Sequence, residues 1–157
     1  MKKTKVIFKK VKDGYFQNDV IAFFIDNVRY DSNDRQLLIE CYEHIGQHGE
    51  SSIDYMDNDT ILANAEEYEA LKTELENIGY DLIDMTGWEE VYSSIEGYYL
   101  YRKIENGKGK WLAEVSEYGN KTGKIFPITY EQALGYKPIK STPIKNLARE
   151  LGRILLP

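Results

Sequence analysis

Two strand-like runs open the chain and restrict its architecture more than anything that follows: KVIFKKV at 5–11 and DVIAFFID at 19–26. β-Branched and aromatic side chains favour the pleated backbone. Lys12, Asp13 and Gly14 between the runs favour reversal, so the pair predicts a hairpin with a long loop. A third run, QLLIECYEH at 36–44, alternates, with Leu37, Ile39 and Cys41 on one face and Leu38, Glu40, Tyr42 and His44 on the other. It predicts a third strand. The DNVRYDSNDR segment before it reads as a polar loop, because Asp and Asn side chains bond to nearby backbone and favour turns.

Helical spacing appears next. Asn64 followed by Glu67 has the form of a capping box, and Tyr68, Leu71, Leu75 and Ile78 make one apolar stripe, so a helix is expected from about Ala65 to Asn77 with Gly79 as its stop. Glu66, Glu67, Glu69, Lys72, Glu74 and Glu76 are expected to face water. YDLIDM then returns as a short strand. The whole is a β-β-β-α-β unit of residues 1–85, closed by the composition change at TGWEE (86–90).

In residues 86–157, GYYLYRKI (97–104) and KWLAEVSEY (110–118) flank ENGKG, which predicts a second hairpin. Its inner face is assigned Tyr98, Leu100 and Ile104, with Arg102 the exception, opposite Trp111, Ala113 and Val115. Thr129 and Gln132 bracket a short capped helix at YEQALGY. Thr142 and Pro143 start a final amphipathic helix through Ile144, Leu147, Leu151 and Ile154. The expected fold class is therefore α+β, a small antiparallel sheet packed by helices in two subdomains.

Charge is distributed unevenly along this scaffold. Of a formal net charge of −6, residues 1–12 carry six Lys and no acid, residues 13–100 carry 3 basic and 21 acidic side chains, and residues 101–157 carry 11 basic and 5 acidic ones. So acidic a block either repels itself across a solvated surface or meets a positive partner, which is another protein's groove or its own basic tail. No apolar run approaches the roughly 20 residues that span a bilayer, and the Lys-rich start leads into too short a run for a signal peptide. The expectation is a cytoplasmic protein with no membrane role.

The segment HIGQHGESSIDYMDND (44–59) holds both histidines. His44 and His48 are four apart with Glu50 close by, which is ligand-like spacing, but Gly46 and Gly49 oppose a helix and Ile45 stands where a metalloprotease helix has Glu. The preferred reading is a glycine-rich turn without metal. A metal-dependent hydrolase at His44, His48 and Glu50 is the alternative. Cys41 is expected to be a small core residue, since it points away from His44 on a strand. No motif calls for a cofactor, and no catalytic residue is assigned. GQHG has the G-x-x-G form of some phosphate-binding loops, yet no Lys or Arg lies between Arg35 and Lys72 to neutralise a polyanion.

The basic C-terminal half interleaves aromatic and basic residues. Tyr99, Tyr101, Arg102, Lys103, Lys108 and Lys110 are the residue types that stack on bases and contact phosphates, and Tyr99, Tyr101 and Lys103 are expected on an exposed strand face. Nucleic-acid binding by this half is thus one reading.

KVIFKK, DVIAFFID, CYEHIGQHGESS and EEYEALKTELENIGYDL together resemble a group of small uncharacterised proteins carried by phages and conjugative elements of gut bacteria, over residues 3–84. The resemblance implies a mobile-element setting, in which small acidic proteins act on host nucleic-acid enzymes such as restriction or CRISPR effectors; it carries no catalytic residues. The favoured expectation is a non-catalytic interaction protein, an acidic DNA-mimic-like inhibitor. Its partner would be a protein with a basic surface, met by Asp54, Asp57, Asp59, Glu66, Glu67, Glu69 and Glu74.

Overall fold

The computed structural model describes residues 3–31, 33–43, 46–95, 100–105, 107–115 and 121–135. It is α+β, as the sequence predicts, with mainly antiparallel sheets and helices. Two compact units emerge, residues 1–89 with 106–108 and residues 90–105 with 109–157, where the composition change marks a cut after residue 85.

The first unit runs β1 (Thr4–Val11), β2 (Val20–Asp31), β3 (Gln36–Glu43), β4 (Gln47–Ser52), α1 (Ile53–Asn58), β5 (Thr60–Leu62), α2 (Ala65–Ile78) and β6 (Leu82–Asp84). Its sheet is ordered β4-β3-β2-β1-β5, with β6 parallel to β1. The opening hairpin is present, with Phe8 opposite Ala22. On one sheet face Val6, Phe8, Ala22, Phe24 and Tyr42 bury against Leu71 and Leu75 of α2. The α2 capping box is complete, Asn64 accepting from Glu67 N–H while the Glu67 carboxylate accepts from Asn64 N–H. The reciprocal pair satisfies two of the amides that a helix start leaves without intrahelical partners.

Four expectations are corrected here. The polar loop is partly strand, because β2 continues to Asp31, pairing Val28 with Ile39 after a shift of register beyond Phe23. GQHGESS is strand β4, not an irregular exit: Tyr42 faces His48 and Glu40 faces Glu50 across an antiparallel ladder. DYMDND is helical, since Ser52 caps Tyr55 N–H and Ile53 and Met56 bury one side of a single turn and a half. Ile78, expected in the stripe, is the last residue of α2 and is 52 % exposed.

Lys9 is buried on β1 and donates to the carbonyls of Met56 (2.6 Å) and Gly107 (2.7 Å). Gly107 has φ +79°, and a Cβ there would stand 2.7 Å from Leu62 Cγ. Gly107→Ala is therefore expected to cost about 2 kcal/mol through backbone strain and overpacking. A lowered urea midpoint at unchanged slope would show it, and wild-type stability would contradict it.

The second unit is a meander of β7 (Glu90–Ile95), β8 (Leu100–Glu105), β9 (Lys108–Val115) and β10 (Lys121–Ile128), followed by α3 (Tyr130–Leu134). The predicted hairpin corresponds to β8 and β9, and the Thr129–Gln132 capping box is closed in both directions. Leu100, Arg102, Ile104, Trp111 and Ala113 are buried, and the Arg102 guanidinium lies 5.1 Å from the centre of the Trp111 ring. The final helix expected from Thr142 lies outside the described residues.

Candidate functional site

The seven predicted partner-binding acids all lie on α1, its C-cap and α2, and packing decides which of them face outward. Leu71 and Leu75 fix the rotation of α2, and the Tyr68 ring stacks on Phe8 at 4.4 Å. Glu66, Glu69 and Glu76 consequently share the exposed side. Glu67 and Glu74 flank the buried stripe and are half-buried. Glu67 is also occupied: its carboxylate closes the capping box and pairs with Lys10 at 2.6 Å. The Asn64 backbone bond, then Lys10, hold Glu67 below the usual carboxylate range. On α1, Asp54 is exposed and accepts from the Asn58 side chain, Asp57 is half-buried, and Asp59 is the exposed C-cap. Among the described residues no ion pair engages Asp54, Asp59, Glu66, Glu69 or Glu76.

Beside this face lies a cavity of about 470 Å³ walled by Val11, Ile21 and Leu71, with Phe16, Tyr55 and Ala70 at its margin. Asp19, Glu43 and Glu67 also line it, and among the described residues no basic side chain does. Burial first, then the fields of Asp59, Glu43 and Asp19, raise the Tyr55 phenol above its ordinary value, so it stays a neutral donor. Asp19, Glu43, Tyr55 and Phe16 did not stand out in the sequence. The one visible signal was the aromatic pair Tyr15–Phe16 in a turn, now 95 % and 61 % exposed.

His48 lies on β4, in an aromatic group rather than a ligand set. Its ring meets Tyr42 edge-on at 4.7 Å, and Nε2 shares a 2.6 Å hydrogen bond with Tyr80 Oη. Both Glu50 oxygens accept from Arg29, and that bond holds Glu50 below the usual carboxylate range. His44 lies outside the described residues; among those described, no three His, Cys, Asp or Glu residues gather as a metal site. Cys41 is buried, and burial followed by the fields of Glu43, Glu40 and Glu50 pushes its thiol up to about 11. That keeps the sulfur protonated in the core.

In the second unit the stacking face is not exposed as expected. Tyr101 is 1 % and Lys103 8 % exposed, and Arg102 is fully buried. Tyr101 packs on Leu112 and Ile125 and donates to Glu114, while Lys103 pairs with Glu90 and Glu105. Both faces of β8 are thus core, which the single-face hairpin reading did not anticipate. Lys108 and Lys110 are exposed, Lys110 beside Glu105 at 2.8 Å, and Tyr99 lies outside the described residues.

No helix among the described residues is long and apolar enough to cross a membrane. Comparison with family models, with curated proteins and with solved structures returns no match.

Proposed function

We propose that the chain is a non-catalytic binding protein whose acidic face, carried by α1 and α2, docks on a basic surface that its partner otherwise offers to nucleic acid. The observation that carries this reading is the row Glu66, Glu69 and Glu76, exposed on one side of a helix whose cap and packed stripe hold it in place. At 1.5 Å of rise per residue these carboxylates span about 15 Å, enough to present several charges together to a groove. Such a face gives fast association that weakens as salt rises, because exposed charges are screened beyond a Debye length. On the resemblance read over residues 3–84, the partner we propose is a nucleic-acid enzyme of a bacterial host, a restriction or CRISPR effector being the type.

The test is capture from a bacterial lysate by the immobilised full chain, beside a variant carrying Glu66→Lys, Glu69→Lys and Glu76→Lys. Wild type is expected to retain a partner that double-stranded DNA displaces and that elutes between about 0.05 and 0.5 M salt. The reversed variant should retain none of it. Capture indifferent to DNA, or undiminished by charge reversal, would overturn the proposal.

A further inference from the structure

We propose that the cavity between the β1–β2 loop, α1 and α2 receives a segment of the partner protein in which a lysine or arginine stands beside a large apolar side chain. The inference rests on the acidic-face reading and names what that face grips. Apolar walls alone, from Val11, Ile21 and Leu71, favour any hydrophobic body of suitable size. The volume, about 470 Å³, is within the range of pockets that enclose a ligand group.

The margin supplies selectivity. Asp19 and Glu43 are exposed at the opening and make no ion pair among the described residues, whereas Glu67, the third carboxylate of the lining, is already paired with Lys10. An apolar body carrying an anion is repelled there, and a neutral one leaves the two carboxylates without a counter-charge. An apolar body carrying a cation satisfies both. Arginine suits the task best, since its guanidinium is weakly hydrated and can stack on the exposed Phe16 ring while pairing with a carboxylate.

Continuity with α2 selects a peptide over a free amine. Ala70 and Glu67 line the cavity, and Glu66 and Glu69 lie one step around the same two turns. A chain anchored in the cavity therefore continues along the acidic row, where further basic side chains find partners. A small amine fills the cavity and leaves that row empty.

Fluorescence anisotropy with the full chain and a labelled peptide alternating leucine and arginine tests this, with a glutamine-for-arginine peptide and butylamine as comparison ligands. Ala70→Trp places an indole over the cavity from an exposed helix position and is expected to weaken peptide binding about 10-fold or more. Asp19→Asn with Glu43→Gln should weaken it several-fold, up to about 10-fold. Glu66→Gln with Glu69→Gln should weaken it about 3-fold. Binding of the peptide to Ala70→Trp as to wild type overturns the proposal, as does equal affinity for the glutamine peptide. Complete competition by butylamine would also overturn it, in favour of a free-amine site. Should Ala70→Trp lose its far-ultraviolet circular dichroism, Phe16→Ala, exposed at the margin, decides by the same criterion. The two readings fail separately. Loss only in the Glu66 and Glu69 variant removes the cavity and keeps the acidic face, whereas loss only in the cavity variants keeps the cavity and removes the face.

Discussion

Lys9→Ala is expected to lower the stability of the protein by about 3 kcal/mol, among the largest effects of any single change in the first unit. Lys9 is 1 % exposed on the central strand β1, and its ammonium donates to Met56 O and Gly107 O. Alanine removes the three methylenes beyond Cβ together with the ammonium, leaving a cavity between packed elements. It also leaves the Gly107 carbonyl short of a donor, whereas Met56 O keeps its bond from the Thr60 hydroxyl. Lys9→Met separates the two costs. Methionine restores most of the volume and takes no charge into the interior, so it should lose only about 1 kcal/mol, the part due to the carbonyl. Urea unfolding of both variants measures this. A Lys9→Ala midpoint equal to wild type, or a methionine variant as weak as the alanine one, would show that burial of the stem is not what holds Lys9 in place.

Lys9 also shows where the sequence was legible and where it was not. Patterns that come from local chemistry read through directly. The hairpin at 5–26 follows from β-branched runs around a turn, and the Asn64–Glu67 and Thr129–Gln132 boxes follow from one residue's reach to another three positions on. What failed to read depended on what other elements offer, near or far in the chain. Gln47–Ser52 has no strand propensity of its own, with Gly49 in its middle, and becomes β4 because β3 offers it a free edge. Ile53–Asn58 has only Ile53 and Met56 to bury, too few for a periodic signal. Lys9, Tyr101, Arg102 and Lys103 look like surface letters, yet each is covered from a neighbouring strand or turn. For the candidate site the same division holds. The acids of α2 were visible as a face, but Asp19, Glu43 and Tyr55 come from three separate segments and meet only through the sheet.

Asp84→Ala should cost about 3 kcal/mol, because this carboxylate ties β6 and α2 to β1. Its Oδ1 accepts from Thr86 N–H (3.0 Å) and Thr86 Oγ1 (2.6 Å), and its Oδ2 accepts from Tyr68 Oη (2.6 Å) with Lys72 Nζ at 3.5 Å. Thr86 Oγ1 in turn accepts from Phe8 N–H at 2.9 Å, continuing the β1–β6 ladder with a side chain after the strand has ended. Tyr68 is kept protonated for its part, its phenol pushed up to about 12 by burial and then by Asp84. Asp84→Asn keeps the shape but presents an amide N–H₂ to donors, and should cost about 2 kcal/mol.

The pH dependence follows from the same bonds. Burial pulls the Asp84 carboxyl upward, but the hydrogen bonds from Thr86 and Tyr68, aided by Lys72, outweigh it and hold the group below its ordinary value. A carboxyl depressed in the folded state stabilises above its unfolded pKa, near 3.9, and loses that contribution as pH falls through the lower folded value. Other paired carboxylates weaken the wild type in acid as well, and they weaken Asp84→Asn equally. The stability gap between the two proteins isolates Asp84. It should be full at about pH 6, begin to close near pH 4 and shrink further toward pH 3. Urea midpoints at those three values would reveal a gap that stays constant, and a constant gap would mean that the charge on Asp84 contributes nothing beyond its shape.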